Sequence, residues 1–235
     1  MSILLVTHGT RSAAGQRTFA AIRDAVAHRT PGQDVHLAYV DVQTPLVQDA
    51  VPQLTATGAD LTVVPVFLGS GYHVHVDIPA ATAGQDVTVT EALGPEPELV
   101  AALADQWSHT PGNDRVEELI LGATGSSDSR SRAQTREVAR LLSQELDLPV
   151  TAAFCAAGTP VYEDEVARKQ ESGVPFGVIS HLIAPGFFQR RIVKGAGSAP
   201  VSDPIGAHSA LVDLLLRRAG GVGQVTESAA GTFAA

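Results

Sequence analysis

The fold of this chain is decided by the stretch Ile3-Leu4-Leu5-Val6-Thr7-His8-Gly9-Thr10, which returns further along as Leu119-Ile120-Leu121-Gly122-Ala123-Thr124-Gly125-Ser126. Each copy is a short apolar run followed by a glycine in a polar loop, a pattern typical of a buried strand that ends at a turn. The copies lie 116 residues apart, and their two glycines coincide. A repeat of this kind predicts two domains built on the same plan.

Other blocks repeat in the same order at an almost constant offset. Residues 154–160 fall on residues 39–45, and both blocks end in a Thr-Pro pair. Gly173 falls on Gly58 in the same way. We interpret the two halves as the product of an internal duplication.

The domain boundaries follow from composition. A linker rich in Pro, Gly and Asn at 109–114 separates an N-terminal domain, 1–110, from a C-terminal domain, 116–218. Residues 219–235 are rich in Gly, Ala and Ser and are expected to form a flexible tail.

Short apolar runs alternate with longer amphipathic stretches in each half, which predicts βαβ units and a parallel sheet. The fold class is therefore α/β, with two similar parallel-sheet domains. Ligands of open parallel sheets bind outside the carboxyl ends of the strands, so we expect an active-site cleft between the two domains at that edge.

Composition restricts the function. The 235 residues are 44% hydrophobic and 17% charged, as expected of a globular protein. The net charge of −9 argues against nucleic acid or an anionic membrane as the main partner. The single cysteine, Cys155, rules out an internal disulfide, and no apolar run is long enough to span a bilayer, so we expect a cytoplasmic protein.

The first candidate functional residues follow the first strand, where His8 precedes Gly9 and Arg11. A histidine at a strand's carboxyl end points toward the expected cleft, although a lone histidine more often caps a strand. Asp41 stands at the equivalent place after the second strand. Alone it would be an ordinary surface or capping aspartate.

The second candidate segment follows the third strand and contains Ser70, Gly71, Tyr72, His73 and Asp77. Histidine is a common ligand of transition metals. His73 and Asp77 share a face if the segment is helical, so Asp77 either orients the imidazole or caps the following helix. His75 points elsewhere if the segment is extended.

The repeat supplies an internal control for these candidates. Thr124, Ala156 and Phe188 stand where the first half has His8, Asp41 and His73. A structural trio would not be expected to vanish as a set, so we infer one polar site, carried by the N-terminal half.

The second half instead has a basic cluster in and after the matching loop, made of Arg190, Arg191 and Lys194. Such a cluster suits carboxylates or phosphates, and a solvated basic turn is the competing interpretation. Phe188 is either a wall of the binding site or a core residue.

Taken together, the motifs L-L-x-x-H-G-x-R and F-L-x-x-G-x-H-V-x-x-D-I-P resemble those of the class II chelatases, in particular the sirohydrochlorin cobaltochelatase and ferrochelatase family (CbiX/SirB-like), in a two-domain form. The resemblance rests on the first ~100 residues, and the His73–Pro79 block is its most specific piece. It implies that His8 and His73 are catalytic and bind the metal. Asp41 falls on a family position that is more often Glu, which leaves its direct contact with the metal open.

The same resemblance implies insertion of Fe²⁺ or Co²⁺ into sirohydrochlorin, in siroheme or cobalamin biosynthesis. The metal is then a substrate, and no tightly bound cofactor is expected. Arg11, Ser70, Gly71, Tyr72 and the basic cluster are expected to bind the tetrapyrrole. A chain with two such domains resembles a fused dimer of single-domain relatives and is expected to be a monomer.

Two other functions compete with this interpretation. One is a carrier of metal or tetrapyrrole that does not accelerate insertion. The other is a histidine-type phosphatase, which Thr7 disfavours because it stands where such enzymes have an arginine that clamps phosphate.

Overall fold

The computed structural model describes residues 1–220, and they form two parallel β-sheets with helices on both faces of each. In the first half the elements are β1 (Ser2–Thr7), α1 (Ala13–Arg29), β2 (Asp34–Tyr39), α2 (Val47–Thr55), β3 (Leu61–Pro65), a π-helical turn (His73–Asp77), α3 (Ile78–Thr82), β4 (Val87–Val89) and α4 (Pro97–Ser108). A short 3₁₀ turn (Asn113–Arg115) leads into the second half. Its elements are β5 (Glu118–Gly125), α5 (Ser129–Leu146), β6 (Val150–Ala157), α6 (Tyr162–Ser172), β7 (Phe176–His181), α7 (Phe187–Ala196) and α8 (Ser209–Arg218). The α/β class and the two parallel sheets predicted from the sequence are confirmed.

The two sheets share their topology. The first has the strand order β2-β1-β3-β4 and the second β6-β5-β7, with every pair parallel. A single parallel bridge between Val178 and Val201 takes the place of β4 in the second sheet. The apolar part of the repeated stretch forms an inner strand of each sheet, β1 or β5. This position explains its composition, because such a strand has neighbours on both sides and is covered on both faces.

Local hydrogen bonds repeat as well. The Leu93 amide donates to the Phe67 carbonyl, and the Ile205 amide donates to the Leu182 carbonyl, both at 2.9 Å. Gly9 and Gly125 both have left-handed backbone, with φ of +89° and +88°. An internal duplication would produce shared details of this kind. The duplication and the domain boundaries, 1–110 and 116–218, stay predictions.

The halves do not have separate cores. One apolar cluster joins the inner faces of both sheets through four helices that lie between them, α1, α4, α5 and α8. Trp107 of α4 reaches the second sheet, where its ring fills the space beside Gly177. The outer faces have smaller clusters, against α2 and α3 in the first half and against α6 and α7 in the second.

Ion pairs close the edge of this middle layer. Arg217 of α8 donates to Glu96 and Glu98, at the start of α4, at 2.8 Å each, and Arg218 donates to Glu96 at 2.5 Å. The hydrogen bond from Arg217 lowers the pKa of the Glu98 carboxyl. These ion pairs therefore join α4 to α8 at the edge of the middle layer.

The expected tail falls mostly outside the described residues, which end at Gly220. Within them, Ala219 is buried in the shared core. No helix among residues 1–220 is both long and apolar enough to cross a membrane.

Candidate functional site

A cavity of about 940 Å³ lies at the carboxyl edge of both sheets. Much of its lining comes from the segments that follow β1 and β3 in the first sheet and β5 and β7 in the second. Side chains from both halves therefore face one space. The volume is at the upper end of the range for small-molecule sites, as a large ligand requires.

His8 and His73 meet in this cavity. Their ring centres are 4.8 Å apart and their planes are nearly perpendicular, at 87°. An imidazole nitrogen lies about 2.1 Å from a bound divalent metal, so two rings sharing one ion have centres about 4.5 to 5.2 Å apart when the ligand angle is about 90° to 109°. The observed separation falls within that interval.

His73 is held by its neighbours. Its Nδ1 lies 2.5 Å from the Asp77 carboxylate, and its ring stacks on Phe67 at 6.0 Å. The π-helical turn places the two residues on one face, and Asp77 makes no side-chain capping bond to the following helix. A carboxylate that accepts a hydrogen bond from Nδ1–H favours the tautomer with its lone pair on Nε2. This is the tautomer that binds a metal through Nε2.

His75 lies apart from this pair. It is exposed and does not line the cavity. The segment is helical rather than extended, so His75 faces outward because the turn carries it away from the face that His73 and Asp77 share.

Asp41 does not join the histidines. Its side chain is exposed and accepts a hydrogen bond from the Val42 amide at 2.7 Å, and it does not line the cavity. Among residues 1–220 no group of three or more His, Cys, Asp or Glu side chains is placed to hold a metal ion. The candidate metal site described by the structure therefore consists of two histidines.

Arg11, Gly71 and Tyr72 line the cavity as the sequence predicts, but Ser70 does not. The Ser70 amide donates to the side-chain oxygen of Gln134 at 2.7 Å, and the Gln134 amide group lies 3.3 Å from the Ser70 hydroxyl. Gln134 belongs to α5 of the second half. Ser70 therefore anchors the loop before His73 to the other half.

The basic cluster lies on a helix rather than in the expected loop. Arg190, Arg191 and Lys194 belong to α7, and none of them lines the cavity. Arg191 pairs with Glu163 at 2.6 Å, which lowers the pKa of that carboxyl. The start of α7 instead brings Phe187, Phe188 and Gln189 to the cavity, so the second half contributes an aromatic wall there.

Three other cavity residues were not predicted from the sequence: Arg132, Phe187 and His181. Arg132 donates to the Ser126 and Ser127 carbonyls, at 2.5 and 2.9 Å, and so fixes the loop after β5. Phe187 falls on Tyr72 at the offset of the repeat. This match could have predicted Phe187 as a cavity residue. Both rings are highly exposed, 64% for Phe187 and 58% for Tyr72.

The comparisons with known proteins agree with this geometry. Residues 2–110 match the CbiX family. A sirohydrochlorin cobaltochelatase of Methanopyrus kandleri is 31% identical over 99 residues, covering 42% of this chain and 62% of that protein. A chloroplastic sirohydrochlorin ferrochelatase of Arabidopsis thaliana is 28% identical over 134 residues, covering 54% of this chain and 56% of that protein. The chain thus spans less than two thirds of the length of these curated relatives.

The fold extends the similarity to the second half. The sirohydrochlorin chelatase SirB of Bacillus subtilis subspecies spizizenii, solved with cobalt, superposes with a TM-score of 0.77 at 21% identity, covering 93% of each chain. SirB of Bacillus subtilis, solved with Fe³⁺, gives the same score at 20% identity and covers 92% of this chain and 93% of that one. This chain therefore shares with these chelatases a fold of two parallel sheets, and it has a histidine pair in the cavity that both halves line. Residues 2–110 are similar to the CbiX family, and 93% of the chain superposes on the SirB fold.

Proposed function

We propose that this protein inserts a divalent metal, Fe²⁺ or Co²⁺, into sirohydrochlorin, in siroheme or cobalamin biosynthesis. The observation that carries the proposal is the His8–His73 pair, 4.8 Å apart in a cavity large enough for a macrocycle. The names of the relatives, which are sirohydrochlorin chelatases for cobalt and iron, support the same substrate.

The reaction exchanges two protons for one metal ion: M²⁺ replaces two pyrrole N–H protons and gains four nitrogen ligands. Two imidazoles hold the ion through two bonds and leave its other positions open to the incoming nitrogens. An imidazole that releases the metal is free to accept a proton near neutral pH. His8 and His73 thus bind the metal and receive the protons.

The roles of the surrounding residues follow from their positions. Asp77 orients His73, Arg11 faces the acidic substrate, and Tyr72 and Gly71 form the wall beside it. Asp41 has no direct contact with the metal in this proposal, because its carboxylate accepts a hydrogen bond from the Val42 amide and does not line the cavity. Arg190, Arg191 and Lys194 act at most on carboxylates at the periphery of the macrocycle, outside the cavity.

The partners of the protein are then the tetrapyrrole and the metal, with no nucleic acid, no membrane and no tightly bound cofactor. We also propose a monomer, in which the two halves of one chain form the complete cavity, and a cytoplasmic location, inferred from the single cysteine.

The test is a spectroscopic titration of sirohydrochlorin with Co²⁺ or Fe²⁺, with and without enzyme. The wild type should accelerate insertion. His8→Ala and His73→Ala should each lower the rate by at least ~10²-fold, while the matched His75→Ala variant should be close to wild type. Tight binding of metal and tetrapyrrole with no acceleration would instead identify a carrier. Phosphatase activity that resists chelators and requires His8 would identify the other alternative.

A further inference from the structure

His181 is a buried histidine that the proposed reaction leaves without a role. It is the last residue of β7, pairs in register with Ala123 of β5, and lines the cavity. Only 4% of the residue is exposed. Its Nε2 is fully buried and has no hydrogen-bonding partner among the residues that the structure describes.

An unpaired polar atom in such a place is unusual. Nearly all buried polar groups in folded proteins have a partner, because burying one without a partner costs free energy. Side chains alternate along a strand, so His181 lies on the same face of β7 as Ile179, which packs in the apolar core shared by the two halves. A phenylalanine would meet the packing needs of this position without the unpaired nitrogen.

The imidazole is uncharged under physiological conditions. Burial lowers the pKa of His181 to about 4. A neutral imidazole has one N–H donor and one lone-pair acceptor. It can therefore complete a hydrogen bond with a polar group that enters the cavity, without bringing a charge into an apolar environment.

The position is polar in only one half. At the offset of 115 residues, His181 falls on Val66, which is buried and lines the same cavity from the first half. At this matched pair of positions the first half presents an apolar side chain to the cavity, and the second half presents one that can form a hydrogen bond. The cavity therefore distinguishes the two sides of a ligand.

We propose that His181 is a substrate-positioning residue whose neutral imidazole forms a hydrogen bond with a polar group of the bound tetrapyrrole and fixes the orientation of the macrocycle in the cavity. This inference rests on the proposed function and extends it to a residue of the second half. Its ligand is the macrocycle, and metal binding does not involve it.

The test uses metal-free enzyme and metal-free sirohydrochlorin, with the dissociation constant measured from absorption changes. His181→Phe should weaken tetrapyrrole binding by about tenfold, the effect of one lost hydrogen bond in a buried site. Its Co²⁺ affinity should equal that of wild type. Its melting temperature should not fall, because the variant buries no unpaired nitrogen. His181→Gln keeps a donor and an acceptor and should bind more tightly than His181→Phe.

The control is His109→Phe, which changes a histidine at the exposed end of α4. It should leave both affinities unchanged. If His181→Phe binds the tetrapyrrole as well as wild type does, the inference is wrong, even though the proposed function stands. If His181→Phe fails to fold, His181→Met takes its place, because it also lacks the imidazole donor and acceptor: weaker tetrapyrrole binding with wild-type Co²⁺ affinity supports the role, and wild-type tetrapyrrole binding overturns it. If the wild type itself does not bind sirohydrochlorin, the proposed function fails, and this inference fails with it.

Discussion

The side-chain oxygen of Gln134 accepts a hydrogen bond from the Ser70 amide at 2.7 Å, and this bond joins α5 of the second half to the loop that precedes His73. The loop is packed closely at the same point. A Cβ on Gly69 would lie 2.7 Å from the Ser131 hydroxyl. The half that lacks the histidines therefore helps to position one of them.

Gln134→Leu should lower Co²⁺ affinity about five- to tenfold, because the Ser70 amide loses its partner and the loop loses an anchor. Gln134→Glu keeps the accepting oxygen and should restore most of the affinity. Gln144→Leu, on the exposed side of the same helix, is the control. Calorimetric titration with Co²⁺ measures the affinity of the three variants. Equal affinities would show that the hydrogen bond between Gln134 and Ser70 does not affect the metal site.

Asp77→Asn should lower Co²⁺ affinity by about 10- to 100-fold, the usual effect of losing the carboxylate that orients a metal-binding histidine. The shape of the side chain is retained, so the fold should be unaffected. Asp86→Asn, at an exposed loop position, is the matched control. The same titration applies, and an unaffected Asp77→Asn variant would assign Asp77 a structural role only.

Tyr72→Ala and Phe187→Ala should each raise the KM for tetrapyrrole several-fold, with less effect on kcat. Both rings are exposed and line the cavity, so a flat conjugated macrocycle can stack on them, and stacking of this kind contributes about 0.5 to 1.5 kcal/mol beyond burial. Val193→Ala removes an exposed apolar side chain from α7 away from the cavity and should change nothing. Steady-state kinetics at saturating metal separates these cases, and an unchanged KM in both aromatic variants contradicts the stacking.

Arg11→Ala should raise the KM for tetrapyrrole more than the double variant Arg190→Ala, Arg191→Ala. Arg11 lines the cavity, whereas the other two lie on α7 outside it and Arg191 is already paired with Glu163. Exposed charges contribute little, so we expect a change of about two-fold or less for the double variant. The two KM values are compared at fixed ionic strength. A larger increase in the double variant would indicate that the substrate's carboxylates bind to α7 and not to Arg11.

Gly9→Ala should destabilise the protein by about 3 kcal/mol or more. A Cβ at this position would lie 2.3 Å from the Asp41 carbonyl oxygen, on backbone with φ of +89°. Gly58→Ala shares the left-handed backbone, with φ of +73°, but meets no atom within 4 Å, so it should cost only about 1 kcal/mol. Urea unfolding measures the free energy of unfolding of both variants. The difference between them reports the steric clash, because both positions have left-handed backbone, and equal destabilisation would exclude a clash at Gly9.

The sequence was sufficient for the parts of the molecule that depend on local patterns. The repeated apolar stretch predicts the central strand of each sheet, and glycine beside His8 predicts a loop at the carboxyl end of a strand. That edge of the sheet then predicts that His8 and His73 meet. Each step follows from the alternation of apolar and polar residues and from the geometry of parallel strands.

The features that were missed or misplaced depend on contacts between the halves. A glutamine on the surface of a predicted helix carries no sign that it bonds to Ser70, 64 residues away. A lone histidine at the end of an apolar run is indistinguishable from a core residue, so His181 gave no signal. Arg190 and Arg191 were expected in a loop because they fall on the segment that follows Gly71 in the first half. They lie in α7 instead, and Gln and Arg are themselves good helix formers.

The layer of four helices between the sheets also governs how the ligand enters and leaves. Because α1, α4, α5 and α8 share one core with both sheets, the two walls of the cavity cannot rotate apart without exposing that core to water. A hinge motion between the halves is therefore disfavoured. For a bound macrocycle we expect the residence time to be set by its contacts with the walls of the cavity and not by the rate of a domain motion.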